Sequence, residues 1–135
     1  MQRLSRFVTQ LTAVLVAASL ALIVPGTAGL DASFPLVVLI VAIGIGLQAG
    51  VRRVKRHPRI ETTRLGDVLR VVPTGVLLAS LVVLFSPSAT AGELQALGGL
   101  IGLVGMVNYF LRPVYSLVAN GFGYLERVLA GPRRP

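Results

Sequence analysis

The sequence predicts an all-α fold: an integral membrane bundle of four transmembrane helices that forms a single membrane domain over residues 1–135. Two observations predict it, the apolar composition and the segregation of the charged residues. Hydrophobic residues make up 54% of the chain and the mean hydropathy is +0.80, more than a soluble core and its surface require. The charged residues gather in the connections between apolar stretches. Both features indicate that lipid is the solvent of this chain.

Four apolar stretches have the length of a membrane span. They cover residues 7–24, 34–51, 68–85 and 94–111. Each is close to the roughly 20 residues that a helix needs to cross about 30 Å of hydrocarbon at about 1.5 Å per residue. Three stretches contain no charged residue, and the third in chain order has only Arg70, in its first turn. A central charge costs roughly 2.5–3.5 kcal/mol on insertion scales, so this distribution is the one expected of spans.

The charges of the connections predict the orientation. All thirteen Lys and Arg residues precede the first stretch, lie between the second stretch and the first turn of the third, or follow the fourth. The other two connections carry Asp31 and Glu93 and no basic residue. By the positive-inside rule, the N-terminus, the middle loop and the C-terminus are expected in the cytoplasm, with the chain in the cell membrane as two hairpins. Twelve arginines beside one lysine favour a GC-rich prokaryotic genome.

A secretory signal over residues 1–28 is the alternative for the first stretch. Arg3 and Arg6 would form its basic region, and the small residues Gly26 and Ala28 loosely resemble a cleavage site. The apolar run is longer than the roughly 7–15 residues of a signal peptide, which favours a retained helix.

Three prolines bear on where the predicted helices begin and end. Pro25 and Pro87 are expected at helix ends, whereas Pro73 lies inside the third stretch. Residues 63–72 are therefore expected to form either a separate interfacial turn or a kinked start of the third helix.

The tail over residues 113–130 is expected to form an amphipathic helix on the cytoplasmic surface. Its apolar stripe comprises Val114, Leu117, Val118, Gly121, Leu125, Val128 and Leu129.

Small residues recur at helical spacing and predict where helices pack. Ala42, Gly46 and Gly50 mark one face of the second helix, and Gly98, Gly102 and Gly105 mark one face of the fourth. Small residues let helix backbones approach closely in lipid, so these faces are expected to meet inside the protein. An interface between copies of the chain is the alternative.

Two amides occupy matching positions near the cytoplasmic ends of the second and fourth helices. Gln48 precedes Arg52 by four residues, and Asn108 precedes Arg112 by four. Together the four side chains would form a polar vestibule for a lipid phosphate or carboxylate. The alternative is that the amides hydrogen-bond between helices while the arginines reach toward the interface.

The same matching suggests an internal repeat. Aligning Thr12 with Thr74 also pairs Pro25 with Pro87. Each copy would be one hairpin, and the two copies would be parallel, related by an axis along the membrane normal. The identities are mostly apolar, so a chance match of composition is the alternative.

The string NYFLRP, residues 108–113, resembles the N-x-x-x-R-P motif of a family of short four-helix membrane proteins labelled holin-like. In that family the motif closes a helix and two more helices follow it. Here only the amphipathic tail follows. The resemblance therefore covers the motif and the span before it, and does not extend to the rest of that family's architecture.

The chemistry-bearing residues are few, and they exclude most enzymes. The chain has no cysteine, and its single histidine, His57, lies in the basic run KRHPR, so neither a metal site nor a cofactor is expected. No span carries paired carboxylates or a nucleophile beside a base. The net charge of +8 follows from topology rather than from binding nucleic acid, and it favours contact with anionic lipids.

These observations favour a non-enzymatic accessory or interaction subunit that packs against other membrane proteins or against itself. A holin-like pore, or a small oligomeric channel or transporter, is the alternative function. The two differ in whether the native assembly contains foreign subunits.

Single cysteines test the orientation, because the chain has none of its own. A membrane-impermeant maleimide added to intact cells is expected to label Ser88→Cys and to spare His57→Cys until the membrane is permeabilised. Labelling of His57→Cys in intact cells would reverse the predicted topology.

Overall fold

The computed structural model describes residues 2–54 and 64–129, and over these residues the chain is helical apart from short connections. Three helices are long and apolar enough to cross a membrane, and a fourth span is added if α4 and α5, which meet at a bend of 44°, count as one. The helices are α1 (Gln2–Thr27), α2 (Phe34–Val54), α3 (Arg64–Phe85), α4 (Ala91–Phe110) and α5 (Arg112–Leu129).

Hydrogen bonds at one end of the bundle fix the start of α4. Thr90 and Glu93 form a capping box: Thr90 N–H donates to Glu93 Oε2 at 2.8 Å, and Glu93 N–H donates to Thr90 Oγ1 at 3.3 Å. Asp31 Oδ1 accepts from Ala91 N–H at 2.7 Å, and Ala32 N–H donates to Ala89 O at 2.8 Å. These bonds satisfy N–H groups that a helix start leaves unpaired, and they tie the two acidic connections together.

Two prolines lie within helices, Pro25 near the end of α1 and Pro73 in the interior of α3. Pro25 is in the last turn of α1, which ends at Thr27, so it lies at a helix end as expected. Pro73 is inside α3, which runs unbroken from Arg64, so the separate interfacial turn is wrong over residues 64–72; Thr63 lies outside the described residues. Both prolines are buried. Tertiary packing therefore offsets the one backbone hydrogen bond that each proline removes.

The helix α1 is one of the two inner helices of the bundle, since both α3 and α4 pack against it. The helix α2 packs against α3, so the order across the bundle is α2, α3, α1, α4. The largest fully buried side chains are Leu22, Val83 and Leu94, one each from α1, α3 and α4. Cleavage after residue 28, as the signal alternative requires, would remove α1, the helix against which both α3 and α4 pack.

Glycines bring the backbones of these helices into direct contact. A Cβ placed on Gly75 of α3 would meet the carbonyl oxygen of Val14 and would lie 2.7 Å from the Cβ of Ala17. A Cβ on Gly98 of α4 would lie 2.9 Å from the carbonyl oxygen of Ser19. Real Cβ atoms do not sit at such distances. Close approach through small residues is the usual way in which helices pack where lipid removes the hydrophobic drive.

The packing repeats between the two halves of the chain. Gly44 of α2 faces Leu77 of α3, with 2.8 Å from a built Cβ to Leu77 Cδ2. Gly105 of α4 faces Leu15 of α1, with 3.1 Å from a built Cβ to Leu15 Cβ. Leu15 and Leu77 are partners when Thr12 is aligned with Thr74. The second helix of each half thus packs through a glycine onto the first helix of the other half. In that alignment Gly44 pairs with Met106 rather than with Gly105, so the internal repeat stays a prediction.

A matched pair of glycines tests this packing. Gly75→Ala is expected to lower the free energy of unfolding in detergent by about 1–3 kcal/mol, because the added methyl overpacks the contact between α1 and α3. Gly99→Ala is the control: Gly99 is helical and exposed, and nothing lies within 4 Å of its built Cβ. That variant is expected to raise the free energy of unfolding by about 0.5–1 kcal/mol, because alanine has a higher helix propensity than glycine. Equal effects of the two substitutions would contradict the close approach.

Candidate functional site

The predicted small-residue face of α4 lies in the interior. Gly98, Gly102 and Gly105 are all buried. All three lie against α1, and the closest neighbour of a Cβ built on Gly102 is the hydroxyl oxygen of Ser19 at 2.6 Å. Ser19 itself is 6% exposed. This face is therefore fully used within the chain.

The predicted face of α2 lies elsewhere. Ala42, Gly46 and Gly50 are exposed, and nothing lies within 4 Å of a Cβ built on Gly46 or on Gly50. The expectation that this face packs inside the chain does not hold, because α2 presents Gly44 to α3 instead. Successive residues of a helix are about 100° apart, so Gly46 points about 200° away from Gly44. We call Ala42, Gly46 and Gly50 the α2 flank.

The four polar residues of the proposed vestibule are not brought together. Asn108 Nδ2 donates to Thr12 Oγ1 at 3.1 Å and approaches Val8 O at 3.5 Å, so its amide bridges α4 and α1. Gln48 and Arg52 are exposed on α2, at the opposite side of the bundle. The helices α1 and α3 lie between them and Asn108, and this separation prevents a shared site.

Arg112 follows the bend between α4 and α5. It is half-buried and already makes an interaction within the chain. Leu111 N–H donates to Val107 O at 2.9 Å, and Tyr115 N–H donates to Leu111 O at 3.0 Å, so the backbone continues through the bend. Beyond it α5 has few contacts with the rest of the bundle. Its described apolar side chains are exposed, namely Val114, Tyr115, Leu117, Val118 and Phe122.

An apolar cleft lies between α1, α2 and α3. Its volume is about 540 Å³, and it is lined by apolar residues alone. On α1 the lining runs from Ala13 to Pro25, and Ala28 lines the cleft just after the end of α1. Leu39 and Ile43 form much of the α2 wall, and Val72 belongs to the α3 wall. No sequence signal marked this cleft, because its lining consists of the aliphatic residues that every span contains.

Polar groups inside the described bundle are satisfied. Ser80 Oγ donates to Leu77 O at 2.6 Å, and no buried side-chain nitrogen or oxygen of the described residues lacks a hydrogen-bond partner. No three His, Cys, Asp or Glu side chains within residues 2–54 and 64–129 are placed to share a metal ion. His57 lies outside the described residues.

No family model, curated protein or solved structure matches this chain. Three surface features of the chain itself bear on function. These are the α2 flank, the apolar cleft and the exposed apolar side of α5.

The bridge between Thr12 and Asn108 is expected to contribute a coupling free energy of about 0.6 kcal/mol, the average for such bonds in membrane bundles. A double-mutant cycle of Thr12→Val and Asn108→Leu, read from unfolding in detergent, measures it. Thr74→Val combined with Asn108→Leu is the control, because Thr74 corresponds to Thr12 in the repeat but is exposed. Zero coupling for Thr12 would contradict the observed bond.

Proposed function

We propose that this chain is a non-enzymatic accessory or interaction subunit of the cell membrane, packed against another membrane protein through the α2 flank. In this proposal α1, α2, α3 and α4 each span the membrane, and both termini are cytoplasmic. The single observation that carries the proposal is the exposure of Ala42, Gly46 and Gly50. The helix α2 packs against α3 through Gly44 and not through these three residues.

The exposure of α2 as a whole supports this proposal. Only 17% of its apolar window is buried, against 28% for α1 and 33% for α3. Large aliphatic side chains suffice for a surface that meets only lipid. Small residues at a spacing of four leave a shallow groove that gains contacts only when another backbone enters it. The groove of α4 is filled by α1, whereas the groove of α2 is open.

The bend at Leu111 supports four spans with an interfacial tail. The 20 residues of α4 extend about 30 Å, which is the thickness of the hydrocarbon core. Arg112 begins α5 at the end of that length. A charged residue is accommodated at the interface at far lower cost than at the centre of the membrane. The exposed apolar residues of α5 then rest in the headgroup region of the cytoplasmic leaflet.

A holin-like pore or oligomeric channel is the second candidate, favoured by the exposure of Gln48 on an otherwise apolar span. A ring of copies would need such an amide to face water. Gln48 lies two residues from both Gly46 and Gly50, so it points about 200° away from the α2 flank. The small-residue contact and the amide thus occupy opposite sides of α2. Flux of ions or small solutes from reconstituted liposomes would support the pore.

The proposal is tested on the native assembly isolated in mild detergent, by measuring its mass and subunit composition. We expect discrete foreign subunits with the natural chain, and their loss with Gly46→Leu, whose side chain fills the groove. Gly99→Leu is the matched control, because Gly99 is equally exposed on α4 with nothing within 4 Å of its built Cβ.

Two outcomes would overturn the accessory function: a chain that is isolated alone, and a symmetric homo-oligomer, which would move the pore to first place. A foreign partner that survives Gly46→Leu would overturn the α2 flank as the surface that binds it.

A further inference from the structure

We propose that one face of the packed pair α2 and α3 binds an anionic phospholipid, whose phosphate lies between Arg52 of α2 and Arg70 of α3. We call Gln48, Arg52, Arg70 and Thr74 the α2–α3 face, and all four residues are exposed. The proposal rests on the membrane placement of α2 and α3 given above, and on that orientation the lipid belongs to the cytoplasmic leaflet. It does not depend on the α2 flank or on a protein partner.

The four residues point to the same side of α2 and α3, away from the apolar cleft. Arg70 and Thr74 each lie between two cleft-lining valines, two residues from either, so each points about 200° away from them. Gln48 and Arg52 follow the cleft-lining Ile43 by five and nine residues, so they point about 140° and about 180° away from it. Since the cleft opens on one side of the helix pair, all four residues lie on the other side.

Two contacts fix the register of α2 on α3. Ala32, just before α2, donates its N–H to the carbonyl oxygen of Ala89, just after α3, so the two helices run antiparallel. Farther along, Gly44 packs against Leu77, with 2.8 Å from its built Cβ to Leu77 Cδ2. Residues that follow Gly44 on α2 therefore share a level with residues that precede Leu77 on α3 by a similar number.

This register places the four residues at two levels. At about 1.5 Å per residue, Thr74 lies about 4.5 Å from the contact with Gly44, and Gln48 lies about 6 Å from it. Arg70 and Arg52 lie about 10.5 Å and about 12 Å from the same contact. Axes of packed helices are about 8–10 Å apart, so an anion in the groove between α2 and α3 is within reach of both long arginine side chains.

Charge at this end of the helix pair favours an anion. Residues 52–70 contain seven basic and two acidic residues. A guanidinium group binds a phosphate through two parallel N–H donors, and two of them together outweigh the single negative charge of a phosphatidylglycerol phosphate. Arg52 lies in the last turn of α2, where a span leaves the hydrocarbon for the headgroup layer.

The order of the two levels favours a phospholipid over free phosphate. In a phospholipid the ester carbonyls lie on the hydrocarbon side of the phosphate. Gln48 and Thr74 offer N–H and O–H donors on that side of the arginines. Leu78 and Leu81 are exposed farther along the same face of α3 and offer aliphatic contacts to an acyl chain. The chemistry of the face thus follows the sequence of phosphate, ester and acyl chain.

The test uses the full chain reconstituted into nanodiscs of phosphatidylglycerol and phosphatidylcholine, then released into mild detergent for native mass spectrometry. We expect the natural chain to retain phosphatidylglycerol in preference to phosphatidylcholine. Arg52→Gln and Arg70→Gln are each expected to lower that preference about fivefold, or about 1 kcal/mol. Arg53→Gln is the matched control. Arg53 is exposed next to Arg52 and carries the same charge, but it follows Gly46 by seven residues and so points to the side of the α2 flank.

Two further variants and one competitor separate a lipid from free phosphate. Gln48→Leu and Thr74→Val keep both arginines, and each is expected to lower the amount of phosphatidylglycerol retained about threefold. Inorganic phosphate added in excess is expected to leave the lipid bound. Gly46→Leu is also expected to retain the lipid, so this proposal and the α2 flank fail separately.

Three outcomes would overturn the site. They are a natural chain with no preference for phosphatidylglycerol, equal effects of Arg52→Gln and Arg53→Gln, and displacement of the lipid by inorganic phosphate. The second outcome would reduce the arginines to diffuse attraction, and the third would assign them to a free anion.

Discussion

Direct contact between the backbone of α1 and those of α3 and α4 is the constraint on which the rest of the structure depends. Gly75 reaches the carbonyl of Val14, and Gly98 and Gly102 reach Ser19 one turn further along the same helix. In water such helices would associate through apolar burial, but lipid is as apolar as leucine. What remains is the dispersion energy of close contact, and it is gained only where no side chain separates the backbones. The position of α1 between α3 and α4 follows from this geometry.

The position of α1 between α3 and α4 explains why α2 differs from the other spans. The two faces of α1 that pack against glycines are occupied by α3 and α4, so α1 has no such face left for α2. The helix α2 therefore rests on α3 through Gly44, and its small-residue face turns outward. Because α2 stands away from α1, a cleft lies between the three helices, beside the buried core to which Leu36 and Ile40 of α2 belong. The exposed flank and the apolar cleft are thus two results of one arrangement.

The polar residues serve the same arrangement. Asn108 bridges to Thr12 at one end of the contact between α4 and α1, and Asp31 holds the first turn of α4 at the other. Inside a membrane an amide without a partner is costly, so the bridge both satisfies Asn108 and fixes the register of α4 on α1. Gln48, four residues before Arg52 on α2, has no such neighbour among residues 2–54 and 64–129. The two amides, which the sequence places similarly, therefore have different surroundings.

The sequence by itself determined the helical fold and where along the chain its apolar helices lie, because the length of the apolar runs and the exclusion of arginine from them follow directly from the cost of charge and unpaired backbone in lipid. Only the tertiary structure decided which small residues pack. Ala42, Gly46 and Gly50 have the same spacing as Gly98, Gly102 and Gly105, yet one set is exposed and the other buried. Helical periodicity defines the faces of a helix but not which face meets a neighbour, since that choice depends on where the other helices lie.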